Sequence, residues 1–117
     1  MLPISDKTTQ TIEHALDALA KRAEVTAHNV ANSEVPGYTA STLDFEGELR
    51  RAVLSGDPGS YRGPAVNDST NPPGPNGNNV NLEEEVVDMM KTNLPQDAMV
   101  EAYNFKMGLL RTAARGQ

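Results

Sequence analysis

Residues 18–38 read ALAKRAEVTAHNVANSEVPGY, a helical seam that runs into an Asn, Pro, Gly and Tyr junction. Ile12, Leu16, Leu19, Ala23, Thr26 and Val30 recur at alternating spacings of four and three, with Ala15, Ala20 and Ala27 widening the stripe. The spacing predicts a helix over 8–32, about 36 Å long at roughly 1.5 Å per residue, and such a seam wants a helical partner. Its end is well marked. Asn32 suits a C-terminal cap, Val35 before proline is pushed toward extended geometry, and Pro36-Gly37 suits the central pair of a type II turn that holds Tyr38 close. Asn29 and Asn32, three residues apart, share one helix face; they serve either local hydrogen bonding at the helix end or contacts to the backbone of an adjacent subunit.

Residues 33–55 are expected to hold the turn and a short extended or helical segment, with Leu43 and Phe45 at alternate positions and Leu49 on a helical turn. Residues 56–80 are dense in Gly, Pro and Asn. That density of turn formers breaks regular elements, so an irregular connection is expected there, either disordered or ordered by partners. A second helix is predicted over 81–116. Asn81 is its cap, Glu84 stands at the capping-box position, and Glu83 to Glu85 favour the positive end of the helix dipole. Leu82, Val86 and Met89 begin its seam, which resumes as Val100, Tyr103, Met107, Leu110 and Ala114; Pro95 lacks an amide, so a kink or short break is expected near 93–95. The fold class that follows is mainly α, one unit over 1–117, with long N- and C-terminal helices packed as a coiled-coil-like hairpin around an irregular middle.

Composition narrows the function. Ten Lys and Arg against sixteen Asp and Glu give a net charge of -6, which disfavours nucleic acid and anionic membrane surfaces. Lys21, Arg22, Arg50, Arg51 and Arg62 form no positive stripe and read as solvated or interfacial charges. No cysteine is present, which excludes disulfides and thiolate chemistry. The N-terminus does not have the form of a classical secretory signal, and no apolar run approaches the roughly 20 residues that span a bilayer, so direct membrane insertion is not expected. His14 and His28 lie about 21 Å apart along one helix and cannot share a metal. The carboxylates at 83–85 have no histidine in reach and are explained by dipole capping. No GK[ST] occurs. No catalytic, cofactor or metal residue is assigned, and the chain reads as a non-enzyme whose candidate assembly and junction residues are Ile12, Leu16, Leu19, Ala23, Asn29, Asn32, Pro36, Gly37, Tyr38, Val100, Tyr103, Met107, Leu110 and Ala114.

AHNVAN at residues 27–32, followed by VPGY at 35–38, resembles the N-terminal signature of the flagellar rod, hook and hook-associated protein superfamily, with Val35 in place of the usual Thr. Leu43-Asp44-Phe45, GNNV at 77–80, and KMGLLRTA at 106–113 are similar to the short proximal-rod members, while Pro95 and Gln96 depart from the aromatic-Gln-Ala pattern of the family's last helix. The resemblance implies a structural subunit of the flagellar basal body, exported through the flagellar type III apparatus without a cleaved signal, whose terminal helices pack in the periplasmic rod and transmit torque. Implied partners are copies of itself, other rod proteins and membrane-proximal basal-body proteins. A helical adaptor or export-linked binding module is the alternative, and a small carboxylate-based enzyme a third. Since neither seam can bury its apolar edge alone, the isolated chain is expected to be partly unfolded.

Overall fold

The computed structural model describes the backbone of residues 3–116 and the side chains of residues 7–116; the outermost positions of the expected 1–117 unit lie outside the described residues. The elements follow in the order α1 (Pro3–Ala31), β1 (Ser41–Asp44), α2 (Glu46–Leu54), a 3-10 turn (Pro58–Ser60), β2 (Ala65–Asp68) and α3 (Leu82–Arg115). α1 and α3 lie antiparallel as a hairpin. Tyr103 donates to Glu13 near one end, Arg22 to Thr92 in the middle, and Asn29 to Glu85 near the other. The described chain is accordingly long and thin, 67 × 26 × 15 Å.

The apolar core does not run the length of this hairpin. It gathers where one face of α1 meets β1 and α2: Ala15, Ala18, Leu19 and Val25 pack with Leu43, Phe45, Leu49, Ala52 and Tyr61, and Met99 of α3 closes over them. The α1 seam holds in its first part, with Ile12 and Leu19 buried and Leu16 and Ala23 half-buried, whereas Ala20, Ala27 and Val30 face outward. Small residues at 15 and 18 let β1 and α2 approach the helix closely. Alternation along β1 then works as a half-buried strand requires, with Leu43 inward and Thr42 and Asp44 outward.

Three expectations are corrected. Of the kink or short break expected near 93–95, the break does not occur, because α3 passes through Pro95 as one helix of 34 residues. Residues 56–80 are not irregular throughout, since β2 pairs antiparallel with β1 in the register Ser41 with Asp68 and Asp44 with Ala65. The seam of α3 is also placed differently. Leu82, Val86, Met89, Val100 and Ala114 are exposed, and the residues turned toward α1 are Glu85, Thr92, Gln96, Met99, Tyr103, Met107 and Leu110. The physical reason lies in the opposing helix. Arg22 and Asn29 occupy inward positions on α1, and buried donors of that kind must face acceptors, some of which the polar stripe of α3 supplies.

Candidate functional site

The junction between the helix hairpin and the middle of the chain is built on three buried asparagines. α1 ends at Ala31, and Asn32 caps it locally, its Nδ2 donating to the carbonyl of His28 at 2.8 Å. Tyr38 N–H returns to the Val35 carbonyl at 3.3 Å, across Pro36 and Gly37. Gly37 takes φ of 75°, the left-handed value a type II turn demands at that place. The turn therefore reverses the chain as its sequence predicts and delivers Tyr38 beside the helix end.

Asn29 is the hub. It is 1 % exposed, and its side chain acts as a stand-in for a neighbouring strand. Nδ2 donates to the Ser41 carbonyl at 2.8 Å and Oδ1 accepts from the Ser41 N–H at 3.0 Å, so one amide satisfies both backbone groups of the first residue of β1. The second Nδ2 proton goes to Glu85 Oε1 at 3.0 Å, and the Tyr38 hydroxyl donates to Oδ1 at 3.3 Å. Every donor and acceptor site of the amide is engaged within the chain. The side-chain hydrogen bonding of Asn29 thus reaches from the helix end across three other segments.

Asn78 and Asn79 do the same for the Pro/Gly-rich loop. Asn78 Nδ2 donates to the Asn32 carbonyl at 2.8 Å and the Val35 carbonyl at 2.7 Å, while its Oδ1 accepts from Val80 N–H. Asn79 Oδ1 accepts from Ala40 N–H at 2.6 Å, and its Nδ2 donates to the carbonyls of Ser69 and Asn71. Gly77 brings the loop against the turn, and a Cβ there would stand 3.2 Å from the Gly37 Cα. The loop is consequently pinned to the turn and to the start of β1 by bonds made within the chain. Buried asparagines replace the sheet ladder that so many prolines forbid.

The first turn of α3 completes the junction. Asn81 Oδ1 accepts from Glu83 N–H at 3.0 Å and Glu84 N–H at 3.3 Å, the cap its sequence predicts. The three glutamates part company beyond that: the Glu84 carboxylate accepts from Asn71, whereas Glu85 is buried against Asn29. Burial pushes the Glu85 carboxyl above its ordinary value of 4.5; the Asn29 hydrogen bond works against this, and the charges of Asp88 and Glu84 add to it. Asp88 is raised by burial too, although Arg22 and Lys91 pull it down. For Glu46 burial is again the largest influence and would raise it, but the Arg22 hydrogen bond and charge, with backbone hydrogen bonds, together outweigh that and leave the carboxyl lowered.

These shifts have signs that can be tested. A carboxyl raised on folding takes up its proton first in the folded chain, so stability contributed by Glu85 and Asp88 grows as pH falls through their folded values and is complete below the unfolded one. Glu46 contributes the opposite, stability present above its unfolded value and lost as pH drops through its lowered folded value. Urea midpoints are therefore expected to rise on going from pH 7 toward the mildly acidic range and to fall again in stronger acid. Glu85→Gln should flatten the first limb, and an unchanged limb would show that Glu85 is not its source.

Of the sequence-predicted residues, the structure brings Asn29 and Tyr38 into contact and ties Asn32 to the turn through Asn78. Ile12, Leu16, Leu19 and Ala23 line the inner side of α1, and Tyr103, Met107 and Leu110 are half-buried on α3. Pro36, Gly37, Val100 and Ala114 are exposed. Arg22, Asn78, Asn79, Glu85 and Thr92 are not among the candidate assembly and junction residues; for Asn78 and Asn79 the available signal was the GNNV motif itself, and for Glu85 the acidic run at 83–85. Among the described residues no group of three or more His, Asp or Glu could hold a metal ion, and no helix is long and apolar enough to cross a membrane.

Residues 10–39, which hold most of α1 and the turn that follows it, match the family described as flagella basal body rod protein. The chain is similar to the flagellar basal body rod protein FlgB of Aeromonas hydrophila, 28 % identical with 96 % of each chain covered, and to that of Bacillus subtilis, 27 % identical over 93 % of this chain and 94 % of the relative. The FlgB of Salmonella typhimurium is 38 % identical over a shorter stretch, 48 % of this chain and 41 % of its own. The motif at 27–38, the matching length and the paired terminal helices all agree with this similarity to flagellar basal body rod proteins.

Proposed function

We propose that the chain is a structural subunit of the proximal rod in the flagellar basal body, that it assembles through its terminal helices with copies of itself and other rod proteins, and that it transmits torque through them. One observation carries this reading. α3 leaves large apolar side chains uncovered on its outer side: Leu94 and Phe105 are 73 % and 70 % exposed, and Met90 and Leu109 are exposed with them. Exposed apolar residues of this size on a helix mark a surface built to be covered, and a single hairpin covers only the opposite face. Between α1 and α3 an open groove of about 410 Å³ adds to this surface, lined by Ala23, Ala27, Val30 and Met89.

Contacts of the heterologous kind, in which one face meets a different face of the next subunit, propagate into tubes and filaments instead of closing as a dimer. Torque then loads many helix contacts in parallel, and no reacting group is needed, which is why a non-enzymatic role fits the site. Membrane-proximal basal-body proteins and the flagellar export apparatus are the further partners of this reading, and the periplasmic rod its location.

Because the chain has no cysteine, single cysteines introduced at Leu94 and Phe105 are clean reporters. In purified basal bodies they should cross-link to neighbouring rod subunits, and cryo-electron microscopy should place the chain in the proximal rod. Basal bodies that lack the subunit, or cross-links confined to export components, would favour an export-linked binding module.

A further inference from the structure

Pro95 sits in the interior of α3, where it has no N–H to give to the carbonyl of Lys91 four residues earlier, and where its ring crowds that carbonyl. A proline at such a place usually breaks or bends a helix. In this chain another residue fills the gap. Arg22 of α1 donates from Nη2 to the Lys91 carbonyl at 3.2 Å and from Nε to Thr92 Oγ1 at 3.0 Å. Thr92, 1 % exposed, passes the bond on to the Asp88 carbonyl at 2.7 Å. The guanidinium is held from its other side by Glu46 at 2.8 Å and by the Phe45 ring, 5.1 Å from its carbon to the ring centre. Of the two readings of Arg22, solvated or interfacial, the solvated one is excluded: it is 8 % exposed, and its fork is spent on α3 and α2 together.

We infer that Arg22 and Pro95 form a conformational latch, in which α3 stays one continuous helix through its proline only while α1 is docked and its guanidinium supplies the missing donor. Undocked, α3 has a hinge at 93–95; docked, the hinge is closed. The device also sets register, because Lys91 is the one carbonyl of α3 whose amide partner Pro95 removes. Sliding α1 by a turn would carry Arg22 to carbonyls already bonded within the helix and leave the Lys91 carbonyl bare. An ion pair with Glu46 would set no such preference on α3. The inference concerns the hairpin itself and stands apart from the assembly reading.

A double-substitution cycle tests it. Urea unfolding of the parent, Arg22→Met, Pro95→Ala and the combined variant is measured in an osmolyte that strengthens the folded state, so that every corner of the cycle is populated. Pro95→Ala restores the amide, so Arg22→Met should lower the folding equilibrium constant about fivefold less in that background than beside Pro95. Arg22→Lys keeps the charge opposite Glu46, takes the place of Arg22→Met if that chain fails to fold, and should show the same inequality. A second readout does not depend on stability. Spin labels at Glu83→Cys and Glu101→Cys lie roughly 27 Å apart along a straight helix. They should give one narrow distance in the parent, a broadened and shortened distribution with Arg22→Lys, and a narrow one again when Pro95→Ala is added. Equal losses in both backgrounds, or a distribution indifferent to Arg22, would overturn the latch and leave Arg22 as a partner of Glu46 alone.

Discussion

Asn29→Ala is expected to remove about 3–5 kcal/mol of folding stability, a large part of what a chain this size holds. The methyl group that replaces the amide leaves the N–H and carbonyl of Ser41 and the carboxylate of Glu85 without their buried partner, and releases the Tyr38 hydroxyl as well. Each orphaned backbone group costs about 1–3 kcal/mol, a charged one more, and because the groups share one partner the losses overlap instead of adding in full. Asn32→Ala serves as the comparison. Its side chain makes a local bond to His28 at the surface, and its loss should stay near ~0.5 kcal/mol. Urea unfolding of the two variants checks the contrast, and similar losses would show that the junction does not rest on Asn29. Asn29→Asp sharpens the test further. It keeps the shape but replaces two donors with an oxygen facing Glu85 and the Ser41 carbonyl, so its defect should ease as pH falls and one of the two carboxyls gains a proton.

The contrast between Asn29 and Asn32 also marks where sequence reading stops. Apolar periodicity and turn chemistry are local, and they sufficed for α1, its end at the VPGY turn, the Asn81 cap and the helix that follows. They also identified the twin-helix fold class, since two long seams at opposite ends of one chain have few ways to be covered. Partners of polar residues are not local. Asn29 and Asn32 look alike in sequence, yet one faces β1 and α3 from inside and the other caps its own helix. The seam of α3 was misplaced for the same reason. Its apolar residues suggested the inner face, but Arg22 and Asn29 needed acceptors and drew Glu85 and Thr92 inward, which left Leu82, Val86 and Met89 outside. Pro95 was read correctly as a missing donor; that a side chain some seventy residues away replaces it is visible only in three dimensions. Likewise GNNV at 77–80 carried resemblance before it carried a mechanism, and the mechanism is the pair of amides that pin the loop to the turn.

Phe105→Asp should abolish incorporation into basal bodies, and with it swimming, while leaving the isolated chain as folded as the parent. The side chain is 70 % exposed and belongs to no part of the packed core, so exchanging it for a carboxylate should change folding stability by no more than about 0.5 kcal/mol. In a helix-packed rod the same change puts an unpaired charge into an apolar contact, at a cost of several kcal/mol per subunit that every repeat of the assembly incurs again. A penalty of that size at each contact is enough to stop growth, since each ~1.4 kcal/mol is tenfold in affinity. Met99→Ala provides the reciprocal case. Met99 lies on the same helix but closes over the core from inside, so its truncation should cost about 2 kcal/mol or more in urea unfolding. Where enough of that variant remains folded, it should still enter the rod. The pair separates folding from assembly along one helix: if Phe105→Asp unfolds the chain, that face already has a partner within the molecule, and if it enters rods at the parent level, the apolar outer side of α3 is not the surface through which the subunits meet.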